Sequence, residues 1–377
     1  MTTQAPSKIR PDMDSRHSGR AQLLDVFREH VLFLLLIAAY VGTGLVLGVT
    51  HVTPRSVGDF SQSLLLQLSL VLGAGVVGVT ILRARLRVRT VDGSRVRGWR
   101  GWTEAWQAER RGPLSLWRLG GFVLVLVALP LFARAFIGWK AAIPSLNPFS
   151  WDLQFAAWDA AVHAGVHPWE ILQPLFGRPA VTRLLDAVYL MWHLVLVGVV
   201  VWQAWNPDRE GRLRFLLAFV LVWILLGTGL ATVLSSAGPC YYRQVTGQPD
   251  PYAPLFEYLH SVDARTPLGN LRAQEWLWTN YRSGVENVSI SAMPSMHVAL
   301  PLLYVLASLR KPVVAFGFAI YALLIFVASV HLGWHYAIDG YVSALAVPIL
   351  WWVAGILARS RRALWMHRTA RPASLVP

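Results

Sequence analysis

His335 and Asp339 stand four residues apart in the stretch His331-Leu332-Gly333-Trp334-His335-Tyr336-Ala337-Ile338-Asp339. On a helix that spacing puts both side chains on one face. A carboxylate so placed accepts one imidazole N–H and leaves the other ring nitrogen electron-rich, which is how a nucleophilic histidine is oriented. Taken alone, the pair is equally consistent with a structural cap at a helix end. A second stretch, Pro294-Ser295-Met296-His297, has the marks of a helix start. Proline fits the first turn, where its missing N–H costs nothing. The free N–H groups of that turn attract an anion such as phosphate. Ser295 offers one further hydrogen bond, and His297 is placed to give a proton to a leaving oxygen. A lone histidine there is more often structural. A third stretch, Gly238-Pro239-Cys240-Tyr241-Tyr242-Arg243, adds aromatic and cationic side chains.

What positions these residues is read from hydropathy and charge. The chain has 377 residues, 55% hydrophobic and only 14% charged, against about a quarter charged in a soluble chain. The shortfall lies in long uncharged apolar runs. At about 20 residues per membrane crossing, eight spans are expected: 30–50, 61–82, 119–137, 180–205, 213–235, 293–309, 312–330 and 337–358. The expected fold is therefore all-α, a polytopic membrane bundle. Its parts are a basic N-terminal segment 1–29, a hairpin with a basic loop over 30–118, a membrane domain over 119–358 and a basic tail 359–377. The first apolar run has no small-residue cleavage site after it and reads as a retained span. The single cysteine, Cys240, excludes an intrachain disulfide and a multi-cysteine metal site.

The net charge of +14 is a topology signal and not a nucleic-acid footprint. With the N-terminus cytoplasmic, 25 of the 34 basic residues fall in the inner segments. Both termini are then cytoplasmic, and all three reactive stretches share the extracytoplasmic side. Two outer segments are long. Residues 138–179 carry Trp151, Phe155, Trp158, Val162 and Trp169 among polar residues, which suits either interfacial helices or a packed outer loop. Residues 236–292 are rich in proline and turns, and a long loop without regular structure is often functional. Asp186, Tyr189 and His193 share a face of the fourth span, as cavity lining or as a packed cluster.

Pro-Ser-x-His followed by His-x-x-x-Asp at the start of the last helix resembles the type 2 phosphatidic acid phosphatase (PAP2) superfamily. Met296 and the upstream Gly-Pro-x-x-Tyr (238–242) are more similar to its inositol phosphorylceramide synthase branch, a group of inositolphosphotransferases. The resemblance spans about 180–358 and implies a six-helix core with extra N-terminal helices. It implies that His335 attacks phosphorus to form a phosphohistidine, that Asp339 orients it and that His297 protonates the departing oxygen. No metal or other cofactor is implied. Gly238, Pro239, Tyr241, Tyr242, Arg243, Ser295 and His331 are the expected substrate-binding residues. The expected partners are a lipid phosphate or phospholipid, a polyol acceptor and the membrane, with no nucleic acid and no oligomeric state indicated.

Two departures weaken the match to a plain phosphatase. The superfamily's arginine six residues before the histidine is Ser329 here, and its Lys…Arg-Pro motif has no counterpart. Arg243 is the first candidate for the missing phosphate-binding cation, with Arg134 and Lys140 behind it. Two other classes remain open: a metalloenzyme using His331, His335, Asp339 and His297 as ligands, and a transporter with Asp186 and His193 on its path. Water or an alcohol as acceptor, and the lipid donor among phosphatidylinositol, polyprenyl (di)phosphates and phosphatidic acid, are equally open.

Overall fold

The structure, a computed structural model, describes residues 13–50, 71–80, 82, 116–286 and 288–369. Among them all regular structure is helical, with no strand. The helices are α1 (Met13–Val46), α2 (Val71–Thr80), α3 (Leu116–Leu146), α4 (Asp152–Val162), α5 (Pro168–Phe176), α6 (Pro179–Leu190), α7 (Trp192–Ala204), α8 (Arg209–Leu221), α9 (Tyr242–Thr246), α10 (Ala253–Asp263), α11 (Gly269–Arg282), α12 (Met296–Ser308), α13 (Pro312–His331) and α14 (Ala337–Thr369). Beyond α8 the chain continues through a π-helical stretch, Val222–Leu230, to Val233. A polytopic helical bundle results, as hydropathy implies.

Among the described residues six helical segments are long and apolar enough to cross a membrane: Leu24–Val46, Trp117–Leu146, Pro179–Ala204, Arg209–Val233, Pro312–His331 and Ala337–Ser360. Their outer faces carry large apolar side chains, such as Val313 at 84% and Leu345 at 73% exposure. Such faces suit lipid and not water. Of the eight expected spans, one lies largely outside the described residues and one is shorter than a crossing needs. The second expected span is described only at its end, as α2 and Leu82, and most of the following basic loop lies outside the described residues. The sixth is α12, a helix of only 13 residues. That length suits a helix enclosed by others, and α12 packs chiefly on α13 and α14 with Ala299, Leu300 and Leu303 fully buried. Its predecessor, 288–295, is not helical.

The longer of the two segments expected on the outer side is more ordered than a turn-rich loop. Residues 236–292 form α9, α10 and α11 and do not remain an irregular loop. Pro254 sits in the first turn of α10, so a residue read as a turn marker starts a helix. Residues 152–176 form the short helices α4 and α5, with Phe155 fully buried while Trp158 and Val162 face outward.

One end of the bundle is cationic and aromatic. Arg118 lies over Trp205, Arg214 over Trp351 and Lys311 over Trp202. At this end Arg212, fully buried, donates to Glu29 Oε1 at 2.8 Å. Trp117 donates to Glu29 Oε2 at 3.0 Å while the Arg212 guanidinium lies 4.4 Å over its ring. This knot ties α1, α3 and α8 together. Removing one partner of a buried ion pair strands the other charge, at a cost of about 3–5 kcal/mol. Glu29→Leu should therefore lower the thermal unfolding midpoint of the detergent-solubilised protein by several degrees. Arg28→Gln, at an exposed cation on the same helix as Glu29, should shift it far less.

Candidate active site

The three reactive stretches meet at the end of the bundle away from the cationic girdle, and their backbones bond to one another. Ala292 N–H donates to Ser236 O (2.9 Å) and Met293 N–H to Ser236 Oγ (3.2 Å). Cys240 N–H donates to Gly333 O (2.9 Å). Ser295 N–H donates to Asp339 O (3.2 Å), and Ser343 Oγ–H to Ser295 O (2.9 Å). Gly238 has φ +96°, and a Cβ there would meet Trp334 O at 2.6 Å. Only glycine permits both the turn and this approach.

His335 Nδ1 lies 3.0 Å from Asp339 Oδ2, which also accepts the Tyr336 N–H at 3.1 Å. Opposite a carboxylate, Nδ1 carries the proton and Nε2 keeps its lone pair. Both residues are buried, and Asp339 Oδ1 has no hydrogen-bond partner among the described residues. Burial pushes the His335 pKa down to about 3; the charge of Lys140 lowers it further, and a hydrogen bond to the Ala292 backbone opposes both. His335 is therefore neutral at ordinary pH. His297 sits in the first turn of α12, its ring centroid 5.9 Å from that of His335. Tyr189 stacks on the His297 ring at 4.5 Å, and Trp192 packs against it at 4.5 Å while donating its indole N–H to His297 O.

Three aspartates not singled out among the candidate catalytic residues organise this end. Asp152 accepts from the backbone N–H groups of Ala237 (2.9 Å) and Gly238 (2.8 Å) and from the Tyr336 hydroxyl (2.9 Å). Asp159, two turns on, accepts from Ala337 N–H (2.8 Å) and Ile338 N–H (2.9 Å), capping α14. Burial raises both pKa values, that of Asp159 to about 6, against the hydrogen bonds that favour the charged form. The available signal was an i, i+7 pair of carboxylates inside an otherwise apolar helix. Asp186, read as possible cavity lining, instead accepts from Gly269 N–H (3.0 Å) and Asn270 N–H (2.9 Å) at the start of α11. Asn270 Oδ1 in turn accepts the Trp334 indole N–H at 2.9 Å.

The remaining candidates fall into two groups. Ser295 is fully buried and caps α12, accepting from Val298 N–H at 3.4 Å. Pro239 lies in a buried 3-10 turn beside Gly238. Tyr241 donates to Gln274 O (2.9 Å) and stacks on Trp278, and Tyr242 packs edge-on against Tyr252. Arg243 is exposed, with Asp250 as an electrostatic neighbour. His331 is fully buried with Nε2 3.0 Å from Thr182 Oγ1, and His193 is exposed. Thus His297, His335, Asp339 and Ser295 are brought together, whereas Tyr241, Tyr242 and His331 are engaged in packing. Among the described residues no three His, Cys, Asp or Glu side chains converge as metal ligands.

The cap at Asp159 carries a pH signature. With its carboxyl raised from 3.8 to about 6, the native state binds the proton more tightly than the unfolded chain. Its contribution is greatest below pH about 4 and is lost as pH rises to about 6, a difference on the order of 3 kcal/mol. Asp159→Asn should remove that slope from a plot of unfolding midpoint against pH.

No curated protein and no solved structure matches the chain. A family model described as the PAP2 superfamily matches residues 153–354, more than half the chain and every element from α4 into α14. With the paired histidines and the buried Asp339 inside the matched region, the chain belongs to the PAP2 superfamily.

Proposed function

We propose that this protein is a metal-independent membrane phosphotransferase or phosphatase that acts on a lipid-linked phosphate through a phosphohistidine at His335. The observation that carries the reading is a buried imidazole braced by a carboxylate (3.0 Å) with a second imidazole 5.9 Å away, centroid to centroid. Superfamily membership supports the class of chemistry.

In the proposed first step the His335 Nε2 lone pair attacks phosphorus and the bond from phosphorus to the lipid oxygen breaks. His297 gives its proton to the departing oxygen. Asp339 stabilises the positive charge that then develops on the His335 ring. In the second step an oxygen nucleophile loses its proton to His297, attacks the phosphohistidine and releases His335. Water as that nucleophile makes the enzyme a phosphatase, and a polyol makes it a transferase. The Gly-Pro-x-x-Tyr stretch at 238–242 and Met296 favour an inositolphosphotransferase-like acceptor, with polyprenyl (di)phosphate or phosphatidic acid hydrolysis as the second reading. The arginine and lysine distribution supports an extracytoplasmic site in the cell membrane with both termini cytoplasmic. A histidine-ligated metal centre is disfavoured, because His331 is bonded to Thr182 and does not join His335 and Asp339 in a donor set.

A panel of lipid phosphates, offered with and without polyols and followed by mass spectrometry, tests the reading. His335→Ala should lose about 10³-fold or more in turnover, and His297→Ala and Asp339→Asn about 10²–10⁴-fold. A chelator should leave the rate unchanged. Full activity in His335→Ala would refute the mechanism. Substrate accepted only from the cytoplasmic side would refute the orientation.

A further inference from the structure

We infer that Lys140 is the cation that binds the phosphoryl oxygens in this site, delivered by α3, a helix outside the segment that matches the family. The inference rests on the reading of the site as a phosphoryl-transfer centre. In such a reaction negative charge spreads over three equatorial oxygens, and positioned cations supply most of the stabilisation. With His335 neutral and the His297 proton passed to the departing oxygen, the two imidazoles and Asp339 hold no lasting positive charge on the phosphoryl oxygens. The superfamily's arginine position is Ser329, fully buried, whose hydroxyl donates to Phe326 O at 2.8 Å. The cation must come from elsewhere.

Lys140 is at the right level of the bundle. Phe136, one turn earlier on the same face of α3, packs edge-on against Trp223 at 4.5 Å. Phe136 and Met296 also close together over the bare backbone of Gly227. Trp223 contacts Trp192, and Trp192 contacts the His297 ring. Further along α3, Asn147 donates to Thr232 O at 2.8 Å. So α3 runs beside the 222–233 stretch towards the reactive end, and Lys140 lies between these two tie points, level with the first turn of α12. The electrostatics of His297 and His335 register its charge, in agreement with that placement.

Lys140 also lacks a counter-ion. Among the described residues no carboxylate pairs with it, and it is only partly exposed. A partly buried ammonium with no paired carboxylate is costly unless an anionic ligand arrives. A phosphoryl group held between His335 and His297 is such a ligand. Arg243, by contrast, is exposed. The plain alternative, a lysine reaching for the interface, predicts no response to phosphate.

The chain has three lysines, Lys8, Lys140 and Lys311, so amine labelling is readily assigned by mass spectrometry. In the purified full-length protein, inorganic phosphate or orthovanadate should slow acylation of Lys140 at least threefold and leave Lys311 unaffected. Equal labelling with and without the anion overturns the inference, whether or not a lipid substrate has been found. Lys140→Met should abolish the phosphate-dependent rise in unfolding midpoint and lower kcat/KM about 10²–10³-fold. Lys140→Arg should retain most of both. If His335→Ala is inactive while Lys140→Met keeps turnover within threefold of wild type, the lysine assignment falls and the phosphotransfer reading stands. If no lipid phosphate is turned over but phosphate protects Lys140, the anion site stands and the reading of the reaction falls.

Discussion

Non-helical backbone at the end of a membrane bundle must satisfy its polar groups within the protein, because surrounding lipid offers no partners. The reactive end of this protein is built around that requirement. Three stretches near residues 234–241, 288–295 and 332–336 break from α-helix and meet. Their N–H groups are taken up by one another and by two carboxylates on α4, Asp152 and Asp159. The same bonds that remove unpaired donors also fix Gly238 against Trp334 and set the start of α14, which carries Asp339. Satisfying the backbone and positioning the reactive side chains are one structural event.

Burial then determines the chemistry. In a site with little water, a histidine beside a carboxylate stays neutral and keeps a usable lone pair, as the lowered pKa of His335 indicates. The same dry setting leaves negative charge on a phosphoryl group expensive unless a cation lies near. A lysine from a helix that precedes the family segment answers that need, and it gives the N-terminal helices a place in the proposed reaction. Stacking of Tyr189 and Trp192 on His297 restrains the second ring, so that few degrees of freedom are left to freeze when substrate binds.

Much of this was legible locally. Hydropathy and charge marked a helical membrane bundle. The four-residue spacing of His335 and Asp339 and the proline-led start of α12 marked the reactive stretches, and their charge-derived topology put all three at one level. Less was legible where contacts span long separations. Asp152 meets Tyr336 across 184 residues and Asp159 meets Ile338 across 179, and neither partner is marked by its neighbours in sequence. The prolines of 236–292 were visible, but whether they end or begin helices depended on what α10 and α11 pack against.

By itself, then, the sequence determined which segments are apolar and which short stretches carry the candidate side chains, because these follow from residue type and short-range period. Tertiary structure alone decided that α12 is a short enclosed helix, that the two imidazoles lie 5.9 Å apart and that His331 turns to Thr182 instead of to His335. The physical reason is that direction and distance between side chains depend on how helices pack. Many low-cost contacts from distant parts of the chain set that packing jointly, and no local pattern encodes it.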